Sequence, residues 1–494
     1  MSSVEFLLGM DPKQLTQKII FSHFPHTPTP SQLEACQLLS DFLFDSDPSS
    51  TFLLKGYAGT GKTSLVSALI QSAPSLRIKT LLLAPTGRAA KVLSGYSHKP
   101  AYTIHKRIYT TITDSSGIMH TVRAQNKFSY TLFIVDEASM IGLDGPEGAA
   151  SWSRRSLLED LISYVQEGSH CRLLFIGDTA QLPPVGSLES PALSTEYLSS
   201  IASLNIYECE LTDVVRQEQL SGILHNATRL RNQIANIEEE YDEVELPLFE
   251  IGECKDVVRL SGEYLEETLN TEYSNLGQED VVFITRSNKR ANLFNQQIRS
   301  RILYREEEVN AGDFLMVVKN NYHWIEKDAP MNFIANGDIV EVMGVRNYEE
   351  LHGFHFVDAT LRFVDYPDMP NLDCKLLLET LYSESPSLTS EEQKKLYTSV
   401  MEDYADVKVK TEQMRLVRED PYYNALQIKF AYALTCHKTQ GGQWPTVFVD
   451  QGYFAEDMLT RDYLRWLYTA ITRATEKVYL LNFQKEFYSD PEED

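Results

Sequence analysis

The sequence predicts an α/β protein whose parallel sheets are covered by helices. Three observations carry this expectation. Residues 56–63 read Gly56-Tyr57-Ala58-Gly59-Thr60-Gly61-Lys62-Thr63, a complete G-x-x-x-x-G-K-[ST] phosphate loop set between an apolar strand pattern and a helical one. Short apolar runs alternate with helical spacing from residue 51 to about residue 215. A second strand–helix rhythm starts at Asp280 and resumes near Val447, after a strand-rich interruption.

The elements follow in order. Residues 1–50 begin with a helical pattern and pass through a proline-rich turn from Pro25 to Pro30. Ser31 then caps an amphipathic helix, Gln32 to Leu39. Candidate strands are Phe52–Leu54, Thr80–Ala84, Leu132–Asp136 and Leu173–Gly177. Ser64–Ile70 follows the phosphate loop with helical spacing, which places bound phosphates at a helix N-terminus. Between the second and third strands, Thr110–Thr121 alternates around Asp114-Ser115-Ser116-Gly117 and reads as an inserted β-hairpin.

Residues 218–275 read as helical and acidic, and Val281–Thr285 as a strand. The interruption from 312 to 430 is strand-rich. In it, Asn336-Gly337 marks a tight hairpin between Asn332-Phe333-Ile334 and Ile339–Val342. Ser383–Asp403 is a polar, helix-favouring insertion, and the α/β rhythm closes with strands Val447–Asp450 and Lys477–Leu481.

A chain of 494 residues exceeds one ordinary core and implies roughly two to four domains. No apolar run reaches the length of a membrane span, and Met1–Met10 lacks the basic and apolar regions of a signal peptide. The six cysteines form no C-x-x-C pair. They read as free thiols in a reducing cytoplasm, and their spacing argues against a metal cluster. The net charge of −25 argues against a polyanion partner on first sight. Much of that acid is clustered, as at Glu238-Glu239-Glu240 and Glu306-Glu307-Glu308, which leaves room for a local positive groove.

Several blocks carry chemistry. The loop glycines let backbone N–H groups turn around a polyphosphate, Lys62 reaches the β- and γ-phosphates, and the Thr63 hydroxyl reaches Mg²⁺. Asp136, at the end of an apolar strand, is placed to hold Mg²⁺, and Glu137 to polarise the attacking water. Gln181, in the loop from Gly177 to Gly186, is placed to sense the γ-phosphate. Arg216 and Arg473, taken alone, read as surface ion pairs or as fingers across a cleft. The segment Thr435–Trp444 offers donors to phosphates.

In their order, these blocks resemble the motif series of the superfamily 1 helicases, in particular the RecD-like and Dda-like branch. Gln32 is similar to the adenine-reading Q motif, and Gly56 to Thr63 with Ser64 to motif I. Ala84–Ala90 resembles motif Ia, Thr103–Lys106 motif Ib, Asp136–Ser139 motif II and Gly177–Pro184 motif III. Arg216 falls at motif IV, Leu434–Trp444 at motif V and Tyr468–Arg473 at motif VI. The resemblance runs from about residue 30 to 485 and favours finger roles for Arg216 and Arg473.

The resemblance implies two RecA-like domains with ATP between them and single-stranded DNA across both. The implied plan is an N-terminal region 1–50, a first domain 51–230 with the hairpin wedge at about 108–128, and a second domain 231–311 and 431–494. An inserted barrel of the SH3 type occupies 312–430. The implied enzyme is an ATP-dependent, Mg²⁺-using DNA helicase. It is monomeric, acts 5′ to 3′ at duplex junctions without a membrane, and serves DNA replication, repair or recombination. Candidate strand contacts are Thr86, Arg88, His105 and His437, with Tyr322, His323 and Trp324 for base stacking or for domain core. A P-loop NTPase switch that does not translocate and an RNA helicase are the alternatives.

Overall fold

The computed structural model describes residues 11–113, 119–143, 156–214, 221–237, 244–251, 255–325 and 333–489. Its strands are β1 Ser50–Gly56, β2 Lys79–Ala84, β3 Ala101–Thr103, β4 Tyr109–Thr113, β5 Met119–Arg123, β6 Thr131–Val135, β7 Arg172–Gly177, β8 Asn205–Leu211, β9 Val257–Leu260, β10 Val281–Thr285, β11 Phe314–Val317, β12 Ile339–Leu351, β13 Phe354–Phe363, β14 Leu372–Leu377, β15 Leu426–Phe430, β16 Ala433–Thr435, β17 Trp444–Asp450 and β18 Ala474–Leu481.

The first sheet runs β3-β2-β6-β7-β1-β8 and is parallel throughout. Both of its faces are buried, which explains the near-continuous apolar strands. Phe52 and Leu54 of β1 point into one core with Leu65, Leu69, Leu39 and Phe42. Leu53 points into the opposite core with Phe133, Phe175, Leu158 and Leu161. The N-terminal helices Pro12–Phe21 and Pro30–Phe44 pack into the first of these cores, so residues 12–44 complete this domain.

The cap of the second helix differs from the expectation. Thr29, not Ser31, is the N-cap, and Gln32 closes a capping box by accepting from Thr29 N–H at 3.0 Å. Pro30 decides the register, because its fixed φ and missing N–H suit the first helical position.

The second sheet runs β16-β10-β17-β18-β9, again parallel. Phe283, Phe448 and Tyr479 lie on adjacent strands and stack face to face, with centroids 4.6 Å apart at each step. Each such pair contributes about 0.5–1.5 kcal/mol beyond its buried area. The other face packs on the helices Gly222–Ala235 and Arg461–Ile471. The helix Gly222–Ala235 therefore packs into the second domain, ahead of the expected boundary at 230.

β11 to β15 close into a barrel between the two parts of the second domain, as expected from the family pattern. One buried cluster joins the barrel's entry to its exit. Asp313 accepts from Arg299 at 3.0 Å, from Arg305 at 2.6 Å and from the Tyr432 hydroxyl at 2.9 Å. The Ser383–Asp403 insertion contributes the helix Ser390–Asp403, which lies on the barrel with Lys410–Glu419 through Leu396, Val400 and Val417.

β4 and β5 pair antiparallel as the predicted hairpin, while its turn, residues 114–118, lies outside the described residues. The hairpin expected at Asn336-Gly337 pairs differently. Ile334 bridges to Asn321, and Ile339 pairs with Met316 of β11. Gly337 does take the turn, at φ 99°, while barrel closure gives β12 another partner in β11.

Candidate active site and strand cleft

A cavity of about 500 Å³ lies between the two parallel-sheet domains. The first domain lines it with the phosphate loop, Thr63, Ser64, Asp136, Glu137, Asp178 and Gln181, and the second with Gln443, Thr472 and Arg473. Gly59 and Gly61 take φ 74° and 77°, the left-handed region that an inward-turned loop requires. Gly56 admits no larger residue cheaply, since a Cβ there would lie 3.0 Å from the Leu211 Cβ and from the Thr60 hydroxyl. Lys62 heads the helix Lys62–Ser72 and donates to the Gly56 and Tyr57 carbonyls at 2.5 and 2.8 Å.

Asp136 is held from two sides. One carboxylate oxygen accepts from the Glu137 N–H at 2.8 Å and the other from the Tyr96 hydroxyl at 2.7 Å. Glu137 sits in the left-handed region at φ 52°, 4.0 Å from the Arg473 guanidinium. Burial pushes both carboxyls upward. Hydrogen bonds from Tyr96 and the Glu137 N–H oppose this at Asp136, and the Arg473 charge opposes it at Glu137. Thr63 and Asp136 offer hard oxygen donors to one cavity, a donor set that fits Mg²⁺. Among the described residues, no cluster of three or more His, Cys, Asp or Glu side chains could hold a metal by itself.

Arg473 is anchored by Nε to the Thr469 carbonyl at 3.1 Å and by Nη1 to the Gly442 carbonyl at 3.3 Å. Arg216, the other expected finger, lies outside the described residues. Gln181 faces the cavity with its Oε1 unpartnered among the described residues. Gln32 does not line it. That side chain is 0% exposed, and its Nε2 donates to the Thr60 carbonyl at 3.1 Å. It ties the helix Pro30–Phe44 to the phosphate loop.

A second cleft, of about 430 Å³, brings together Thr86, Arg88, His105 and His437 across the domain boundary. Thr86 caps the helix Gly87–Ser97, accepting from Ala89 N–H at 3.2 Å. Arg88 stacks on the Trp444 ring at 3.9 Å, which makes it a contact between domains as well as a lining residue. Gly441 and Gly442 permit this approach, since Cβ atoms there would lie 2.7 Å from the Ala89 Cβ and the Arg88 Nε. Burial pushes His105 down to about 4 and lowers His437, so both imidazoles are neutral at pH 7. They can contact a strand by hydrogen bonding and stacking, not by charge.

Tyr322 and Trp324 do not line the cleft. Tyr322 stacks on Phe333 at 4.9 Å, and Trp324 donates its indole N–H to the Asn424 carbonyl at 2.7 Å. His323 packs edge-on against Trp324. Phe333 and Trp444 are the Phe, Tyr or Trp side chains that line the cleft among the described residues, along with Asn320 and Asn336.

Two groups that join the cavities lie in the motif blocks, but sequence patterns assigned them no role. The Tyr468 hydroxyl crosses the boundary to accept from Ala58 N–H at 2.8 Å and donate to Asp178 at 2.6 Å. Farther along the same loop, Leu182 N–H donates to the Thr469 hydroxyl at 2.9 Å, and the Leu182 carbonyl accepts from Gln440 at 2.7 Å. Tyr96 was missed as well, because a lone tyrosine late in a helix carries no motif.

The chain matches two family models, an AAA domain over residues 30–244 and a UvrD-like helicase C-terminal domain over 430–481. It is 27% identical over 302 residues to the ATP-dependent DNA helicase dda of Enterobacteria phage T4, covering 59% of this chain and 62% of that protein. It is 35% identical over 133 residues to the ATP-dependent RecD2 DNA helicase of Deinococcus radiodurans, covering 27% of this chain and 16% of that protein. It is also similar to a solved structure of two coordinating Pif1 helicases at forked double-stranded DNA, at 16% identity and TM-score 0.48 over 94% of this chain and 95% of that one. In its ordered motifs and in its matches to these family models and curated relatives, the chain is similar to the superfamily 1 helicases of the Dda and RecD type.

Proposed function

We propose that the protein is an ATP-dependent DNA helicase that moves 5′ to 3′ along single-stranded DNA and opens duplex junctions. One observation carries this reading. The loop from Asp178 to Ser187 borders both cavities, with Asp178 and Gln181 at the nucleotide and Pro184 and Val185 at the strand cleft. Both cavities are built from both domains, so a change in the angle between domains alters both together.

The phosphate loop binds the triphosphate, and Lys62 leaves its loop carbonyls for the β- and γ-phosphates. Glu137 orients and deprotonates the attacking water, a general-base role. Arg473 from the second domain stabilises charge on the transferring phosphoryl group, with Arg216 as the second finger. Thr63 and Asp136 would hold Mg²⁺, which supplies neutralisation of phosphate charge. Thr86, Arg88, His105 and His437 then grip the strand from two domains, and the β4–β5 hairpin is the wedge.

The test combines ATP turnover with and without single-stranded DNA and unwinding of 5′-tailed against 3′-tailed duplexes. Stimulation by DNA with selective opening of the 5′-tailed duplex is expected. Turnover indifferent to DNA would overturn the helicase reading, and selective opening of the 3′-tailed duplex would overturn the polarity.

A further inference from the structure

A third cavity, of about 430 Å³, adjoins the nucleotide site. Tyr57 borders both, and the motif III loop divides them. Asp178 and Gln181 face the nucleotide cavity, whereas Thr179 and Ala180 face this one. Its lining holds Lys55, Arg231, Arg461 and Arg465 against two carboxylates, Glu189 and Glu208. Lys55 and Glu208 neutralise one another at 2.6 Å.

The three arginines are incompletely satisfied. Arg465 is only 5% exposed, donates by Nη1 to the Leu188 carbonyl at 2.6 Å and lies 3.6 Å from Asp462. Among the described residues its Nε has no hydrogen-bond partner, and neither do the Arg461 Nε and the Arg231 Nη1, although all three atoms are shielded from solvent. Arg231 stacks over the Tyr57 ring at 4.5 Å, which fixes its plane against the phosphate loop. Arg461 and Arg465 lie one turn apart on the helix Arg461–Ile471. Burial and the neighbouring Arg461 charge both lower the proton affinity of Arg465, while Asp462 and Glu189 oppose them. Buried donors without acceptors are rare, and three of them on arginines that line one cavity favour an acceptor with several oxygens.

We propose that this cleft is an anion site, separate from the nucleotide cavity, that takes a phosphate oxyanion. A tetrahedral anion presents oxygens in several directions at once, as donors on two different helices require, and guanidinium groups match it geometrically. Small rotations of the arginines aim their free N–H groups at it. Lys55 and Tyr57 belong to the first domain and the three arginines to the second. A bound anion therefore ties the domains together beside the phosphate loop and slows the opening of the cleft.

The test titrates inorganic phosphate onto the full chain saturated with a non-hydrolysable ATP analogue, which occupies the phosphate positions of the nucleotide cavity. No DNA is needed, so the outcome is separate from that of the helicase reading. One equivalent of phosphate is expected to bind, at least tenfold more weakly in Arg461→Gln. Arg461 is partly exposed and anchors no backbone among the described residues, and Arg231→Gln serves as a second variant. No phosphate bound beyond the analogue, or unchanged affinity in both variants, would overturn the site. A single-turnover measurement of phosphate release identifies the source. A lag that Arg461→Gln removes assigns the site to product phosphate. No lag, with equilibrium binding intact, assigns it to phosphate from solution.

Discussion

Tyr468 of the second domain donates its hydroxyl hydrogen to Asp178 of the first, at 2.6 Å, while accepting from Ala58 N–H at 2.8 Å. The two hydrogen bonds pin the phosphate loop and the motif III loop to the same helix. Tyr468→Phe removes both and leaves a buried carboxylate short of a donor, a loss of about 1.5–3 kcal/mol. Denaturant unfolding of Tyr468→Phe, Asp178→Asn and the double variant checks this. The two changes are expected to be non-additive by about 1 kcal/mol, because they break the same bond.

Lys62→Ala should lower kcat for ATP hydrolysis by about a hundredfold or more, since in the proposed mechanism it removes the charge that reaches the transferring phosphoryl group. Affinity for single-stranded DNA should stay within about twofold, because Lys62 lines the nucleotide cavity and not the strand cleft. Turnover and fluorescence anisotropy, measured on one preparation, separate the two effects.

Tyr96→Phe should act through Asp136 without touching nucleotide. The carboxylate loses the donor on one oxygen and with it the orientation that suits a cation. The Mg²⁺ concentration giving half-maximal ATP turnover is expected to rise about tenfold. Turnover at saturating Mg²⁺ should recover most of its original value.

Asp338 is 1% exposed, and burial pushes its carboxyl up to about 7. The folded chain therefore holds this proton more tightly than the unfolded chain, whose ordinary value is about 4. Stability falls as pH rises from about 4 to about 7 and is level above that range. Asp338→Asn keeps an acceptor for the Ala335 N–H and removes the buried charge. The variant should be more stable at pH 8 by on the order of 4 kcal/mol, and the gain should vanish near pH 4. Urea unfolding at the two pH values measures both.

Much of the nucleotide site was legible because its residues are contiguous. Lys62 and Thr63 follow their glycines directly, and Asp136 and Glu137 directly follow one buried strand. The parallel sheets were legible from apolar runs buried on both faces. Less regular strands escaped. In β8, Glu208 and Glu210 alternate with buried Cys209 and Leu211, and β9 has only four residues inside an acidic stretch. Aromatic content pointed to Tyr322 and Trp324, but the barrel's own packing claims them and leaves Phe333 at the cleft.

The sequence by itself determined the fold class, the phosphate loop and the order of the helicase motifs. Each of these depends on neighbours a few residues apart, where strand and helix periodicity and backbone conformation are decided. Tertiary structure alone decided that Gln32 locks a helix to the loop, that Arg88 lies flat on Trp444, and that Tyr468 reaches Ala58 and Asp178. Tyr468 and Ala58 are 410 positions apart. Only closing one domain against the other brings such groups within hydrogen-bonding distance, and burial there then sets which of them stay charged.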